Sequence, residues 1–284
     1  MHFTEVTIPG GFARAGSWGR SLWARTLCGG DEIFLAEEMS QASPAARATA
    51  LLERTVALEC GSVPASREFC RELSAGDREA LLLHLRRLTF GDRMSCVLQC
   101  PSCTEKLDLD LSVTSLFVPS YADCAPDREE FISGDGEGRY RVRFRRINGG
   151  DLEDLSETVR QDSDVAELSA IERCVIDARD SEGRPAASLP VDALRRLAPL
   201  LAEMDPQAEL ILEAECPACG ENFSQTLDAL QYLQAEMVQS LDRLYGEIHQ
   251  LASHYHWSEA EILSVPAERR RRYLAMIAGA GRTL

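Results

Sequence analysis

The chain carries two Cys-Pro-x-Cys stretches, Cys100-Pro101-Ser102-Cys103 and Cys216-Pro217-Ala218-Cys219, separated by the long span from Thr104 to Glu215. Two tight turns of this kind can each offer two thiolates from one side. Together they complete the closed tetrahedron of a structural zinc site. Strand-like arms flank both stretches. Residues 94–99 precede the first, and Leu107-Asp108-Leu109-Asp110-Leu111 follows it in strict alternation. Residues 209–213 precede the second, and residues 223–227 follow. The pattern predicts one shared zinc per chain, held by Cys100, Cys103, Cys216 and Cys219.

Other arrangements compete with that reading. A thioredoxin-like redox pair needs its nucleophilic cysteine at a helix N-terminus, whereas the residues after Cys103 alternate with period two. Two separate metal sites would each need a further Cys or His pair, and none is obvious. Bare buried thiols are the simplest alternative. A catalytic zinc would keep an open position beside a His or carboxylate ligand, so a four-thiolate site predicts a structural metal and no catalytic residue. No nucleophile elbow, phosphate-binding glycine loop or His-Glu-x-x-His accompanies it.

Common zinc ribbons place their pairs closer together. Here the order helix, short breaker, strand, Cys-Pro-x-Cys, strand occurs twice, which reads as a weak internal duplication. The expected class is α+β: two pseudo-repeated zinc-knuckle halves, an inserted hairpin with helices, and a C-terminal helical hairpin. The boundaries fall at 1–40 for an N-terminal strand and Gly-rich segment, 41–118 for the first half, and 119–188 for the insertion. The second half takes 189–228 and the helical hairpin 229–284. Within this frame, Thr4-Glu5-Val6-Thr7-Ile8 is a short strand ending at Pro9-Gly10-Gly11, and residues 16–30 are irregular. Ser43-Pro44 opens a helix, and Ser74-Ala75-Gly76-Asp77 opens another that ends at Phe90-Gly91-Asp92. Gly134-Asp135-Gly136-Glu137-Gly138 is a hairpin loop. The arm after it puts Arg139, Arg141, Arg143 and Arg145 on one face, either paired across to Glu129 and Glu130 or forming a docking edge for an acidic partner. Residues 227–255 read as one long helix, followed by a capping box of Ser258 and Glu261.

Composition restricts the functions available. The 284 residues hold 46 acids against 30 bases, for a net charge of −16. A field of that sign repels phosphate backbones and anionic lipid. Residues 1–30 lack the pattern of a signal peptide, and the apolar run at 80–85 is far too short to span a bilayer. The expectation is a cytoplasmic chain with no nucleic-acid and no membrane partner. Ten Cys in such a setting are metal ligands or buried thiols. Cys96 shares a strand face with Leu98 and Cys100, whereas Cys28, Cys60, Cys70, Cys124 and Cys174 read as small core residues. His84 reads as a satisfied core or interface histidine, and His254 and His256 as a polar helix cap. A zinc-ribbon nucleic-acid adaptor is the second functional reading, opposed by the charge, and a disulfide oxidoreductase the third.

Four stretches taken together carry a family resemblance: Leu88-Thr89-Phe90-Gly91-Asp92-Arg93, the paired Cys-Pro-x-Cys turns, Asp205-Pro206-Gln207-Ala208-Glu209-Leu210, and His254-Tyr255-His256-Trp257-Ser258-Glu259-Ala260-Glu261-Ile262-Leu263. Over about residues 30 to 278 the chain resembles the baseplate hub or hub-assembly proteins of T-even-type contractile-tailed phages. Relatives occur beside phage-like extracellular contractile injection systems. The resemblance implies a non-enzymatic structural or assembly-chaperone role, with other baseplate, hub or tail-tube proteins as partners.

Overall fold

The strand expected at residues 4–8 does not stop at Pro9-Gly10-Gly11. In the computed structural model, which describes residues 2–14, 16–60, 62–122, 125–133, 138–161, 163–239 and 241–280, it continues as β1 (Phe3–Arg14). β1 pairs antiparallel with β2 (Ser17–Arg25), and the register shifts between Thr7 and Phe12. The shift is a bulge whose freed backbone groups find side-chain partners. Asp77 accepts from Gly10 N at 2.7 Å and from Gly11 N at 3.0 Å, and Trp18 Nε1 donates to Gly10 O at 2.8 Å. Gly11 has φ +94°, which favours glycine there. Residues 16–30, expected to be irregular, are therefore mostly strand. Gly19 is tolerated in β2 because the Phe12 ring fills the space over it.

After β2 come the short helix α1 (Gly29–Ile33) and a π-helical turn, Phe34–Glu38. Ser43 caps α2 (Pro44–Thr55) by accepting from Ala46 N. α2 runs straight into β3 (Val56–Glu59), which lies antiparallel on β2 with Ala24 opposite Val56. β4 (Val63–Pro64) closes this sheet, and α3 (Arg67–Glu72) leads to α4 (Ala75–Phe90). α4 stops at Gly91, whose φ of +91° no other residue adopts readily. The hairpin β5 (Arg93–Gln99) and β6 (Lys106–Ser112) then carries the first cysteine pair at its tip.

Residues 119–188, expected as an insertion, follow the order of the chain's first sixty. β7 (Asp127–Ser133) and β8 (Arg139–Arg145) form an antiparallel hairpin. Residues 134–137 of its expected loop lie outside the described residues. Then come α5 (Gly149–Gln161) and α6 (Ser163–Cys174), the latter running straight into β9 (Val175–Arg179). β9 pairs antiparallel with β8, placing Phe144 opposite Val175. β8 is thus the middle strand of three, so its arginines do not form an edge. Arg141 and Arg143 reach Glu129 and Asp127 across the sheet, at 3.9 and 4.0 Å.

α7 (Val191–Met204) precedes the hairpin β10 (Leu210–Glu215) and β11 (Asn222–Leu227), with the second cysteine pair at its tip. The helix expected over 227–255 is two helices, α8 (Ala229–Val238) and α9 (Leu241–Tyr255). The apolar spacing runs through the break because each half buries its stripe against a different neighbour: α8 packs on α4, and α9 on α10 (Glu259–Leu263) and α11 (Ala267–Ala280). The Ser258–Glu261 capping box forms as expected.

The architecture is α+β, and its two apolar cores divide the chain unevenly. One gathers Val6, Ile8 and Leu22, the α4 leucines, and the inward faces of both cysteine-bearing hairpins. The other holds Ile132, Val142 and Phe144 with Leu189, Ala193, Leu194 and Leu197. So β10 and β11 leave the core of their sequence neighbours and pack beside β5 and β6. No helix among the described residues is long and apolar enough to cross a membrane.

Candidate metal centre

Each cysteine pair sits in a knuckle built the same way. Cys100 N donates to Glu105 O at 2.9 Å and Thr104 N to Cys100 O at 3.0 Å; Cys216 N donates to Glu221 O and Gly220 N to Cys216 O, both at 2.8 Å. The residue after the second cysteine is left-handed in both turns, Thr104 at φ +62° and Gly220 at φ +74°. Glycine suits that conformation and threonine does not. The chain accepts the cost at Thr104 because the turn aims both sulfurs to one side.

The inward faces of β5 and β10 bring the two tips together. Met94, Cys96 and Leu98 are buried on β5, and Leu210 and Leu212 on β10. At the ends of these faces, Cys100 Sγ lies 3.7 Å from Cys219 Sγ, and Cys103 Sγ lies 3.6 Å from Cys216 Sγ. All four sulfurs fall within 4.8 Å of one another. A tetrahedron with metal–sulfur bonds of about 2.3 Å has sulfur–sulfur edges of about 3.8 Å. The donor set therefore fits one tetrahedral metal, and the separations are too long for disulfides. Cys100 and Cys216 are buried beneath the tips, whereas Cys103 and Cys219 face solvent. The Cys219 backbone N–H, with that of Ala218, holds the Cys216 thiol down at about 7. That shift favours the thiolate form, which is the form a metal ligand takes.

The remaining cysteines among the described residues stay apart from the cluster. Cys28, Cys70 and Cys174 are buried singly, and burial pushes Cys70 and Cys174 up to about 12, so both are inert thiols. Cys96 is buried on the strand leading to Cys100, as its spacing predicts. Cys60 is exposed, which corrects its expected place in the core: it sits in the turn after β3 with φ +29°. Cys124 lies outside the described residues. His84 is buried, stacked on Phe117 and bonded through Nε2 to Thr7 O at 3.0 Å; burial pulls it down to about 4, so it is neutral. His254 packs on Tyr255 and belongs to no metal-competent group among the described residues.

A second pair of matched sites escaped sequence reasoning. Arg25 clamps Asp31 with two bonds, 2.6 and 2.9 Å, and Arg145 clamps Asp151 with two, 2.6 and 3.0 Å. Asp31 also accepts from Cys28 N and Asp151 from Asn148 N, closing the start of α1 and of α5. Both carboxylates end a Gly-Gly-Asp, and an Arg stands at the same distance before each. That spacing was the available signal.

Fold and knuckles together define an α+β protein organised around a four-cysteine centre. The chain belongs to the family described as T4 bacteriophage base plate protein, which it matches over residues 25–233. The matched stretch includes all four clustered cysteines and both hairpins. Neither the curated proteins nor the solved structures hold a match to it.

Proposed function

We propose that this chain is a non-enzymatic structural or assembly protein of the baseplate hub in a contractile phage tail or phage-like injection machine, stapled by one structural zinc. The observation that carries the reading is the baseplate family match over 25–233, which takes in both knuckles. Zinc is the preferred metal because four thiolates at tetrahedral spacing suit a soft, redox-inert ion in a closed site. The partners are other baseplate, hub or tube proteins.

The staple has a clear job if the chain is two related units rather than two halves around an insertion. Hairpin, Arg–Asp clamp, helix, third strand, helix and knuckle hairpin follow one another from β1 to β6 and again from β7 to β11. The third strand meets the hairpin at the same place in both, Val56 opposite Ala24 and Val175 opposite Phe144, each one residue before the clamp arginine. Zinc then joins one knuckle from each unit and fixes their relative orientation.

The test is genetic and structural. In a host that builds such particles, loss of this chain should abolish complete baseplates in electron micrographs. Wild type should restore them, and the Cys100→Ser/Cys216→Ser variant should not. Normal particles without the chain would refute the assembly role. Mass spectrometry of purified particles separates a resident subunit from a transient chaperone.

A further inference from the structure

One face of α4 looks into a cleft. Ala75, Arg78, Glu79 and Leu82 repeat at the three- and four-residue spacing of a single helix face, and all four line a cavity of about 520 Å³. Its other walls include Leu152 of α5 and the junction of β11 with α8, at Leu227 and Leu230. The walls are mainly apolar, and three charged side chains reach them: Arg78, Glu79 and Asp228.

These three are placed differently. The Arg78 guanidinium is fully engaged: it donates to Thr49 Oγ1 at 3.0 Å, to Cys70 O at 2.6 Å and to Ala45 O at 2.8 Å. Asp228, at the rim, caps α8 by accepting from Gln231 N at 2.8 Å. The Glu79 carboxyl is only half engaged. One oxygen accepts from Ala229 N, at the start of α8, at 2.6 Å. Among the described residues the other oxygen has no hydrogen-bond partner and Glu79 has no ion pair; the free oxygen is open to the cleft rather than sealed in. Burial pushes the Glu79 carboxyl up to about 7, and the Asp228 charge adds to the rise against the Ala229 N–H and the Arg78 charge. A carboxyl in that setting is stabilised as the anion by a cation brought to it.

We propose that this cleft takes a lysine side chain of another protein, with its apolar stem along Leu82, Leu152, Leu227 and Leu230 and its ammonium on the free oxygen of Glu79. Stem and head then each meet a surface of their own kind. Lysine suits the site better than arginine for a geometric reason. A guanidinium forks onto both oxygens of a carboxylate, and Ala229 N already occupies one of them. An ammonium is a point donor on a flexible stem and needs only the other. This chain carries a single lysine, Lys106, among its 30 bases, so a lysine-bearing segment belongs to a different protein. The site stands on its own geometry and is independent of the metal and of the baseplate assignment.

The test titrates the full chain with n-butylammonium, the lysine side chain alone, and follows leucine methyl groups by NMR. The signals of Leu82, Leu152, Leu227 and Leu230 should shift saturably, with affinity about tenfold above that for n-butanol at about pH 8. n-Butylguanidinium should bind more weakly than n-butylammonium. At about pH 5, where Glu79 is protonated, the preference over n-butanol should vanish. It should vanish also in Glu79→Gln, whose amide oxygen can still accept from Ala229 N. No saturable shift, a preference that survives protonation or Glu79→Gln, or tighter binding of the guanidinium would each overturn the site. The wild-type pH series decides even where Glu79→Gln fails to fold. In complexes isolated from the native host, a carbodiimide should join Glu79 to a lysine of another protein by an amide bond, the reagent taking up the water as a urea. A product with Lys106 of a second copy, or no product, would overturn the assigned partner. Either failure leaves the baseplate reading standing, because that reading is tested by particle assembly.

Discussion

Replacing Cys216 by serine tests the staple most directly. Cys216 is buried at the tip of β10, 3.6 Å from Cys103 Sγ and 113 residues away from it in sequence. A cross-link closing a loop of that length removes chain entropy from the unfolded state worth about 5 kcal/mol. Serine leaves three thiolates, too few for a closed tetrahedral zinc, so the whole contribution is lost at once. At about 2 °C per kcal/mol for a chain of this size, the melting temperature should fall by about 10 °C. Metal analysis should show one zinc per chain in wild type and none in Cys216→Ser. Because the site is a unit, Cys100→Ser/Cys216→Ser should be no less stable than either single variant, within about 0.5 kcal/mol. The shared site would be refuted if removing one knuckle's pair left half the metal, or if the two single losses added.

Two further outcomes follow from the buried carboxylates. Burial works to raise the Asp31 carboxyl, but the Arg25 bonds and charge outweigh it, so Asp31 titrates below its ordinary value. Its stabilisation is present above the unfolded value and lost as pH falls. Because Arg25 is nearly buried and Arg145 a third exposed, Asp31→Asn should cost about 3–5 kcal/mol and Asp151→Asn about 1–2; equal losses in denaturant melts would contradict this. Burial, with the nearby Asp205 charge adding to it, pushes Asp77 up to about 7 against the Gly10 and Gly11 N–H groups. A folded state that prefers the acid form loses stability as pH rises from about 4 through 7, and Asp77→Asn should flatten that part of the stability–pH curve.

The four-cysteine cluster was legible because its signal is local and chemical: two sulfurs at fixed spacing, with strand alternation on both sides. The order of elements around the knuckles was legible for the same reason. What the alternation could not reveal is pairing. β2 follows Gly16, contains Gly19 and reads as loop, and only the Phe12 ring and the partner strand make it a strand. The break between α8 and α9 was hidden because both helices keep one apolar spacing while facing different neighbours. The correspondence between the first sixty residues and 127–179 was hidden more deeply. It resides in strand register and in two Arg–Asp clamps, whose side chains differ around a shared Gly-Gly-Asp. Sequence periodicity reports which face of an element is buried, not which element covers it.

The position of the four cysteines follows from where the apolar core runs out. A two-stranded hairpin alone is marginal in water. At their bases, β5–β6 and β10–β11 bury Met94, Cys96, Leu98, Leu210, Leu212 and Leu227 in one core. Toward the tips, Gln99 and Glu215 are exposed, and beyond them the knuckles have only sulfur to bury. On the proposed reading, metal coordination would supply at the tips what apolar contact supplies at the bases. Chelation should loosen the molecule in a graded way: amides of residues 100–105 and 216–221 should lose hydrogen-exchange protection first, while those of 94–98 and 210–212 keep most of theirs. Uniform loss of protection across both hairpins would mean that the apolar faces cannot hold without the ion. No change at the tips would mean that coordination contributes nothing there.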